Sequence, residues 1–187
     1  DFDACLAEAQ ADADARGGYF VHTSSEPRII AGVGTASLEI IEAVPDLEVL
    51  FVPVGGGSGA CGACIAAKAI RPELRVIAVQ AAGAPAVYES WKRGDLVSFD
   101  SVDTQAEGLA TRQAYSLATL ILRHCLDDFR LVSDQDMRRA ILTLLETTHV
   151  VAEDAGAAAL AAAYAMRDQL AGQKVAIMLS GGNLTRD

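Results

Sequence analysis

The chain has 187 residues, which is room for one domain or for one domain and part of a second. Its formal net charge of −10 and its lack of a basic block argue against nucleic acid and anionic membranes as partners. No apolar run reaches the roughly 20 residues that a membrane-spanning helix needs. The four cysteines do not form a disulfide framework at this length, which favours a reducing cytoplasm as the location.

The first predicted element is a helix that ends at Gly17 and Gly18, and the sequence enters it at Asp1 without a methionine. We therefore expect part of the protein to precede Asp1. The segment YFVH (19–22) predicts a short strand, and the next helix is expected to run to about Val44, before a proline. The continuous apolar run LEVLFVPV (47–54) predicts a buried strand.

Strands and helices continue to alternate after the glycine-rich segment GGGSG (55–59). In chain order, the expected elements are a helix at 59–70, a strand at 75–80, a helix at 84–94, a polar loop at 98–108, a helix at 111–126, a strand at 129–132, a helix from Ser133, an alanine-rich helix with Asp154 as its N-cap, and a strand from Lys174. This alternation is typical of an α/β fold with three layers, in which helices cover both faces of a mostly parallel sheet.

Parallel sheets bind ligands at the carboxyl ends of their strands, and two glycine turns are expected there. The first is residues 55–59, and the second is Gly181–Gly182, directly after Ser180. At a strand–helix junction, backbone N–H groups and the helix N-terminus together attract an anion. Four glycines and a serine in five residues favour such a phosphate cup over a simple tight turn.

Dinucleotide binding is an alternative, because GSGACG from Gly57 fits the pattern G-x-G-x-x-G. That function needs an acidic residue at the end of the next strand, where Gln80 stands. A redox function for CGAC (61–64) is a second alternative, although the surrounding alanines favour simple packing. A zinc site is not indicated, because the three histidines are scattered and no second C-x-x-C occurs.

Taken in order, the segments VPVGGGSGACG, VVAEDAGAAALAA and SGGN resemble the fold type II pyridoxal-phosphate enzymes, most closely the threonine/serine dehydratase and serine racemase branch. The resemblance covers nearly all of the chain and implies a fold like the tryptophan synthase β subunit. It also implies pyridoxal phosphate as the cofactor.

The resemblance assigns roles to seven residues. The backbone amides of the glycine loop would bind the cofactor phosphate, with a serine where the family often has a fourth glycine. A hydroxyl after the last strand would contact the pyridine nitrogen, a glutamate would lie near the ring, and a glycine backbone would lie beside the cofactor. The residues of the glycine loop are Gly55, Gly56, Gly57 and Ser58. The hydroxyl is that of Ser180, the glutamate is Glu153, and the glycine beside the cofactor is Gly108.

Two departures from the family pattern are informative. Where some members bind a divalent cation through two carboxylates, this chain has Gln80 and Ala86, so no metal site is predicted. None of Lys68, Lys92 and Lys174 matches the Schiff-base lysine of the family, which is expected upstream of Asp1. Residues 1–187 are therefore interpreted as the C-terminal portion of the catalytic fold, inactive by itself.

The resemblance implies a dehydratase (ammonia-lyase) that converts a small β-hydroxy amino acid such as threonine or serine into a 2-oxo acid and ammonia. A homodimer or a higher homo-oligomer is expected. An amino-acid racemase or a β-replacement enzyme would use the same cofactor cradle. A non-catalytic nucleotide- or phosphate-binding domain is the alternative from another class.

Overall fold

The structure is a computed structural model and describes residues 2–184. Its strands are β1 (Val49–Pro53), β2 (Arg75–Ala81), β3 (Asp128–Val132) and β4 (Val175–Ile177). Its helices are α1 (Phe2–Arg16), α2 (Pro27–Ala43), α3 (Ser58–Ile70), α4 (Ala86–Arg93), α5 (Ser116–Cys125), α6 (Asp134–Thr148) and α7 (Asp154–Ala165). Among the described residues, no helix has the length and apolar character needed to cross a membrane.

The four strands form one sheet in the order β3-β2-β1-β4, and each neighbouring pair is parallel. β1 lies inside the sheet and is buried along its whole length. Successive side chains of a strand point to opposite faces, so a strand covered on both faces has apolar residues at every position. This explains the continuous apolar run from which the strand was predicted.

Two apolar clusters lie on the two faces of the sheet. One contains Leu50 and Val52 of β1 with residues of α3 and α5. The other contains Val49 and Phe51 of the same strand with residues of α6 and α7. The three-layer α/β prediction is therefore confirmed.

Helix α2 packs on α3 at a point where both helices have a glycine. A Cβ atom on Gly62 would lie 2.6 Å from the carbonyl oxygen of Ile30 and 2.7 Å from the nitrogen of Gly34. Such distances are too short for any side chain, so the two backbones touch directly. The position of α2 is thereby fixed relative to the start of α3.

Three local predictions were wrong. Residues 19–22 form no strand, because the chain turns after His22, whose Nδ1 accepts the backbone N–H groups of the residues two and three positions later. Helix α5 begins at Ser116 rather than near residue 111, since Gln113 forms a β-bridge with Ser98. The N-cap of α7 is Glu153, one residue before the predicted Asp154.

Candidate active site

A cavity of about 450 Å³ opens beside the carboxyl end of β1. All seven residues that the sequence singled out line it, although they come from four separate segments of the chain. They are Gly55, Gly56, Gly57, Ser58, Gly108, Glu153 and Ser180. The sheet topology explains why the residues after β1 meet Ser180 after β4, because parallel neighbouring strands end at the same edge.

Residues 55–58, which we call the glycine cup, lead from β1 into α3. Gly57 is the N-cap of α3 and has φ of +102°, a conformation that favours glycine. No side chain caps this helix end in the described structure, so its first N–H groups remain free to bind an anion. Ser58 is the first helical residue of α3 and has no positive φ, so a serine fits there without backbone strain.

The floor of the glycine cup has no room for side chains. A Cβ atom on Gly55 would collide with the carbonyl oxygen of Gly108, and one on Gly56 would collide with Oγ of Ser24. The backbone of Gly108 therefore lies directly against the cup. A side chain at either position would displace the backbone of Gly108 or the side chain of Ser24.

The opposite wall of the cavity is the start of α7 and the turn after β4. The N–H of Glu153 donates to the carbonyl oxygen of Gly181 at 3.2 Å, and a Cβ atom on Gly181 would collide with the Glu153 carboxylate. Gly156 of α7 leaves equally little room beside the same carbonyl. This close packing holds Ser180, which is exposed to the cavity, at the carboxyl end of β4.

The charge distribution shows which groups could bind an anion. Glu107 and Glu153 line the cavity, but no lysine, arginine or histidine side chain of residues 2–184 does. A phosphate would therefore be held by backbone N–H groups and by the positive end of α3.

Sequence reasoning missed several hydroxyl groups that line the cavity: Thr23, Ser24, Thr111 and Tyr115. Thr23 and Ser24 precede α2, in a stretch whose polar T-S-S composition before Pro27 is the only sequence signal of a turn. Thr111 and Tyr115 were assigned to a helix.

The three lysines lie away from the cavity. Nζ of Lys68 donates to Asp127 Oδ2 at 2.7 Å and to the carbonyl oxygen of Leu74 at 2.8 Å. These two partners precede β3 and β2, so Lys68 is at the amino ends of the strands. Lys174 pairs with Asp46 just before β4 and β1, and Nζ of Lys92 lies 5.5 Å from the ring centroid of Tyr88.

The structure does not support the redox or dinucleotide hypothesis. Cys61 and Cys64 are buried, and burial raises the pKa of the Cys61 thiol to about 12 and that of Cys64 still further. Thiols that stay protonated are poor nucleophiles. Gln80 is fully buried, and its Oε1 accepts the N–H of Tyr88 at 3.0 Å, so it lies beneath α4 and not in the cavity.

No group of His, Cys, Asp and Glu residues in the described part of the chain is arranged to hold a metal ion. Gln80 and Ala86 stand where some family members have carboxylate ligands for a cation. Gln80 is fully buried beneath α4, and Ala86, the first residue of α4, is fully buried as well.

A family model described as "Pyridoxal-phosphate dependent enzyme" matches residues 1–181, so the chain belongs to this family. The L-threonine ammonia-lyase of Thermotoga maritima is 41% identical over 168 residues, which are 90% of this chain and 42% of that protein. The chain thus spans somewhat less than half the length of this curated relative.

Solved structures give the same placement. A maize serine racemase superposes with a TM-score of 0.88 at 31% identity, covering 95% of this chain and 57% of the racemase. A threonine deaminase from T.th. has a TM-score of 0.89 at 30% identity, with 96% and 62% of the two chains covered. The chain therefore falls in the threonine/serine dehydratase and serine racemase branch of fold type II.

Proposed function

We propose that the protein is a pyridoxal-phosphate-dependent ammonia-lyase that converts threonine or serine into a 2-oxo acid and ammonia. The observation that carries the proposal is the meeting of the glycine cup, Glu153 and Ser180 in one cavity. Similarity to the L-threonine ammonia-lyase of Thermotoga maritima supports the reaction type. When bound, pyridoxal phosphate supplies an electron-withdrawing ring that stabilises negative charge at the Cα of an amino acid.

The glycine cup fits a phosphate group on three counts. Its side-chain-free floor lets an anion approach the backbone, the N-terminus of α3 has no side-chain cap, and the partial positive charge at that helix end attracts an anion. In this proposal, the amides of Gly55, Gly56, Gly57 and Ser58 bind the cofactor phosphate. The backbone of Gly108 supports the cup from below.

Ser180 is assigned to the pyridine nitrogen of the cofactor. Its hydroxyl is neutral and does not hold a proton on that nitrogen, whereas a carboxylate at this place would. The weaker electron withdrawal that results suits loss of a β-hydroxyl group. Glu153 is assigned to the neighbourhood of the ring, where its position as the N-cap of α7 fixes its backbone.

The lysine that transfers the proton at Cα is proposed to lie outside this chain. Lys68 and Lys174 are at the amino ends of the strands, and Lys92 is near the end of α4. We accordingly propose that residues 1–187 are the C-terminal portion of a catalytic fold and do not turn over substrate by themselves.

A substrate with an uncharged side chain is favoured. Glu107 and Glu153 would repel a second carboxylate on the substrate, since like charges repel strongly in a partly closed cavity. Threonine and serine carry no such group. Racemisation is the second candidate activity, because the maize serine racemase has nearly the same fold over 95% of this chain.

The proposal is tested on the purified protein by borohydride reduction, intact-mass measurement and product analysis. A pyridoxyl adduct, with 2-oxobutanoate from L-threonine or pyruvate from L-serine, is the expected result for the whole enzyme. Chiral analysis of the remaining amino acid separates the racemase, which produces the D-enantiomer. Binding of NAD without any binding of pyridoxal phosphate would refute the proposal, and turnover by the 187-residue chain alone would refute the assignment of the lysine.

The assembly and location are also proposals. A homodimer or a higher homo-oligomer is expected, and sedimentation equilibrium measures it. A reducing cytoplasm is supported by the cysteines, because Cys5, Cys61, Cys64 and Cys125 are all unpaired.

A further inference from the structure

The residues just before α2 form a turn organised by one imidazole ring. Nδ1 of His22 accepts the N–H of Ser24 at 3.0 Å and the N–H of Ser25 at 3.2 Å. A ring nitrogen that accepts two hydrogen bonds carries no proton, so the proton of neutral His22 is on Nε2. We call residues 22–25 the histidine turn.

The ring of His22 is held in place by aromatic neighbours. It meets the ring of Tyr115 edge-to-face, with 4.6 Å between the centroids, and that of Phe20 at 6.0 Å. Tyr115 also lines the cavity. The carbonyl oxygen of His22 accepts the N–H of Glu26, which joins the histidine turn to the N-cap of α2.

The histidine turn forms part of the cavity wall. Thr23 and Ser24 line the cavity, and Ser24 is only 5% exposed. Oγ of Ser24 occupies the place where a side chain on Gly56 would project. A hydroxyl group thus lies against the floor of the glycine cup, where it can donate a hydrogen bond to an anion.

We propose that His22 is a positioning residue, whose unprotonated Nδ1 holds the histidine turn and keeps the Ser24 hydroxyl in the glycine cup, so that protonation of His22 weakens phosphate binding. A protonated Nδ1 would be a donor facing two N–H donors, and the turn would open. The inference rests on the proposed function only for the identity of the phosphate compound.

The surroundings of His22 set the direction of the pH effect. Tyr115 faces the His22 ring from the start of α5. In the segment that contains His22, the hydroxyl of Tyr19 donates to Glu26, and the guanidinium of Arg28 lies 5.9 Å from the Tyr19 ring centroid. Burial lowers the pKa of His22 below its ordinary value of 6.5. Above pH 6.5 the His22 ring is neutral whether the histidine turn is closed or open. As the pH falls below 6.5, the open state takes up a proton first, and the closed turn is progressively lost as the pH approaches the lower pKa of the closed state.

Two variants separate the role of Nδ1 from that of the ring as a whole. In His22→Asn, the side-chain oxygen reaches the place of Nδ1 and accepts hydrogen bonds without titrating. In His22→Gln, the amide lies nearer the place of Nε2 and does not serve the two N–H groups. Binding of pyridoxal phosphate and, separately, of inorganic phosphate to the purified protein is measured between about pH 5 and pH 8.

The wild-type protein is expected to lose roughly tenfold in affinity for both probes toward the acid end. His22→Asn should keep its affinity for both probes across the pH range, apart from the change that titration of the phosphate group itself causes. His22→Gln should bind both probes weakly at every pH. Equal pH profiles for wild type and His22→Asn would overturn the proposal, as would absence of phosphate binding at every pH. Binding of inorganic phosphate without pyridoxal phosphate, with the expected pH profile, would refute the proposed function and leave this inference standing.

A direct measurement covers the case in which a variant does not fold. Long-range ¹H–¹⁵N spectra of the wild-type imidazole report which nitrogen carries the proton and the pKa of the ring. A neutral ring protonated on Nε2, with a pKa below 6.5, is expected. A proton on Nδ1 in the neutral ring would overturn the proposal whatever the variants show.

Discussion

Nζ of Lys68 and Oδ2 of Asp127 lie 2.7 Å apart, and the same carboxylate oxygen accepts the N–H of Val76 at 2.7 Å. This half-buried ion pair joins the end of α3 to the starts of β2 and β3. It uses a lysine that a cofactor would otherwise be able to modify. Lys68 is therefore a structural residue.

Substitution of Lys68 by methionine is expected to lower the free energy of unfolding by about 1 kcal/mol, because a partly buried carboxylate loses its charged partner. The affinity for pyridoxal phosphate should not change. Chemical denaturation and a binding titration check the two parts, and Lys92→Met, at an exposed position, is the control. A borohydride-trapped adduct on Lys68 would contradict this assignment.

The glycine cup predicts different results for a glycine inside it and a glycine outside it. Gly56→Ala places a methyl group against Ser24 and should weaken pyridoxal phosphate binding by about tenfold or more. Gly32→Ala, on the exposed side of α2 and outside the cavity, meets no atom within 4 Å and should bind normally. Absorbance titration with the cofactor measures both. Equal losses in the two variants would show that the cup does not hold the phosphate.

Ser180 is predicted to affect turnover more than binding. Ser180→Ala removes the hydroxyl that we propose to contact the cofactor ring, which should lower kcat by roughly tenfold while changing cofactor affinity much less. Ser180→Thr keeps a hydroxyl group and should restore most of the activity. Steady-state assays on the whole enzyme with L-threonine provide the comparison; a fully active alanine variant would exclude the assigned contact.

The thiols should differ strongly in reactivity. Cys5 is exposed and should react with a disulfide reagent at about pH 8, followed more slowly by the half-buried Cys125. Cys61 and Cys64 should react only after unfolding, because burial raises the pKa of both thiols. Timed alkylation followed by peptide mass spectrometry identifies the modified residues. Fast modification of Cys61 in the folded protein would reopen the redox hypothesis.

The contact between α2 and α3 predicts a pair of opposite stability effects. Gly62→Ala forces a methyl group against the backbone of α2 and should lower the free energy of unfolding by about 1–3 kcal/mol. Gly32→Ala, on the exposed side of α2, meets no atom within 4 Å and should raise it by up to about 1 kcal/mol through helix propensity. Thermal unfolding of both variants measures whether each substitution lowers or raises the free energy of unfolding. Stabilisation by Gly62→Ala would refute the direct backbone contact.

The sequence predicted the central elements well because their signals are local. The strand β1 is a continuous apolar run, and the glycine cup combines four glycines with the start of an alanine-rich helix. The order of segments then brought the glycine cup, Glu153 and Ser180 to one edge of the sheet. The places of the glycine cup and of Ser180 follow from the periodicity of the chain and the rule for parallel sheets, whereas Glu153 was assigned by resemblance to the family.

The missed features depend on particular side-chain and backbone contacts that the pattern of apolar and polar residues does not show. Residues 19–22 have strand-forming side chains, but a strand needs a hydrogen-bonded neighbour, and the His22 imidazole instead turns the chain. The start of α5 is displaced by pairing with Ser98, some fifteen residues earlier. The place of Ser24 beside Gly56 is likewise invisible until the chain is folded.

The direct contact between Gly34 and Gly62 has a mechanical consequence. The histidine turn precedes α2 and the glycine cup leads into α3, so the two parts of the proposed phosphate site are attached to two helices that touch each other. Where the two backbones touch there is no side chain to compress, so the two helices cannot come closer together at this point. The spacing between the Ser24 hydroxyl and the glycine cup therefore depends on Gly34 and Gly62, two residues that do not line the cavity, and a substitution at either one is expected to change the cavity from a distance.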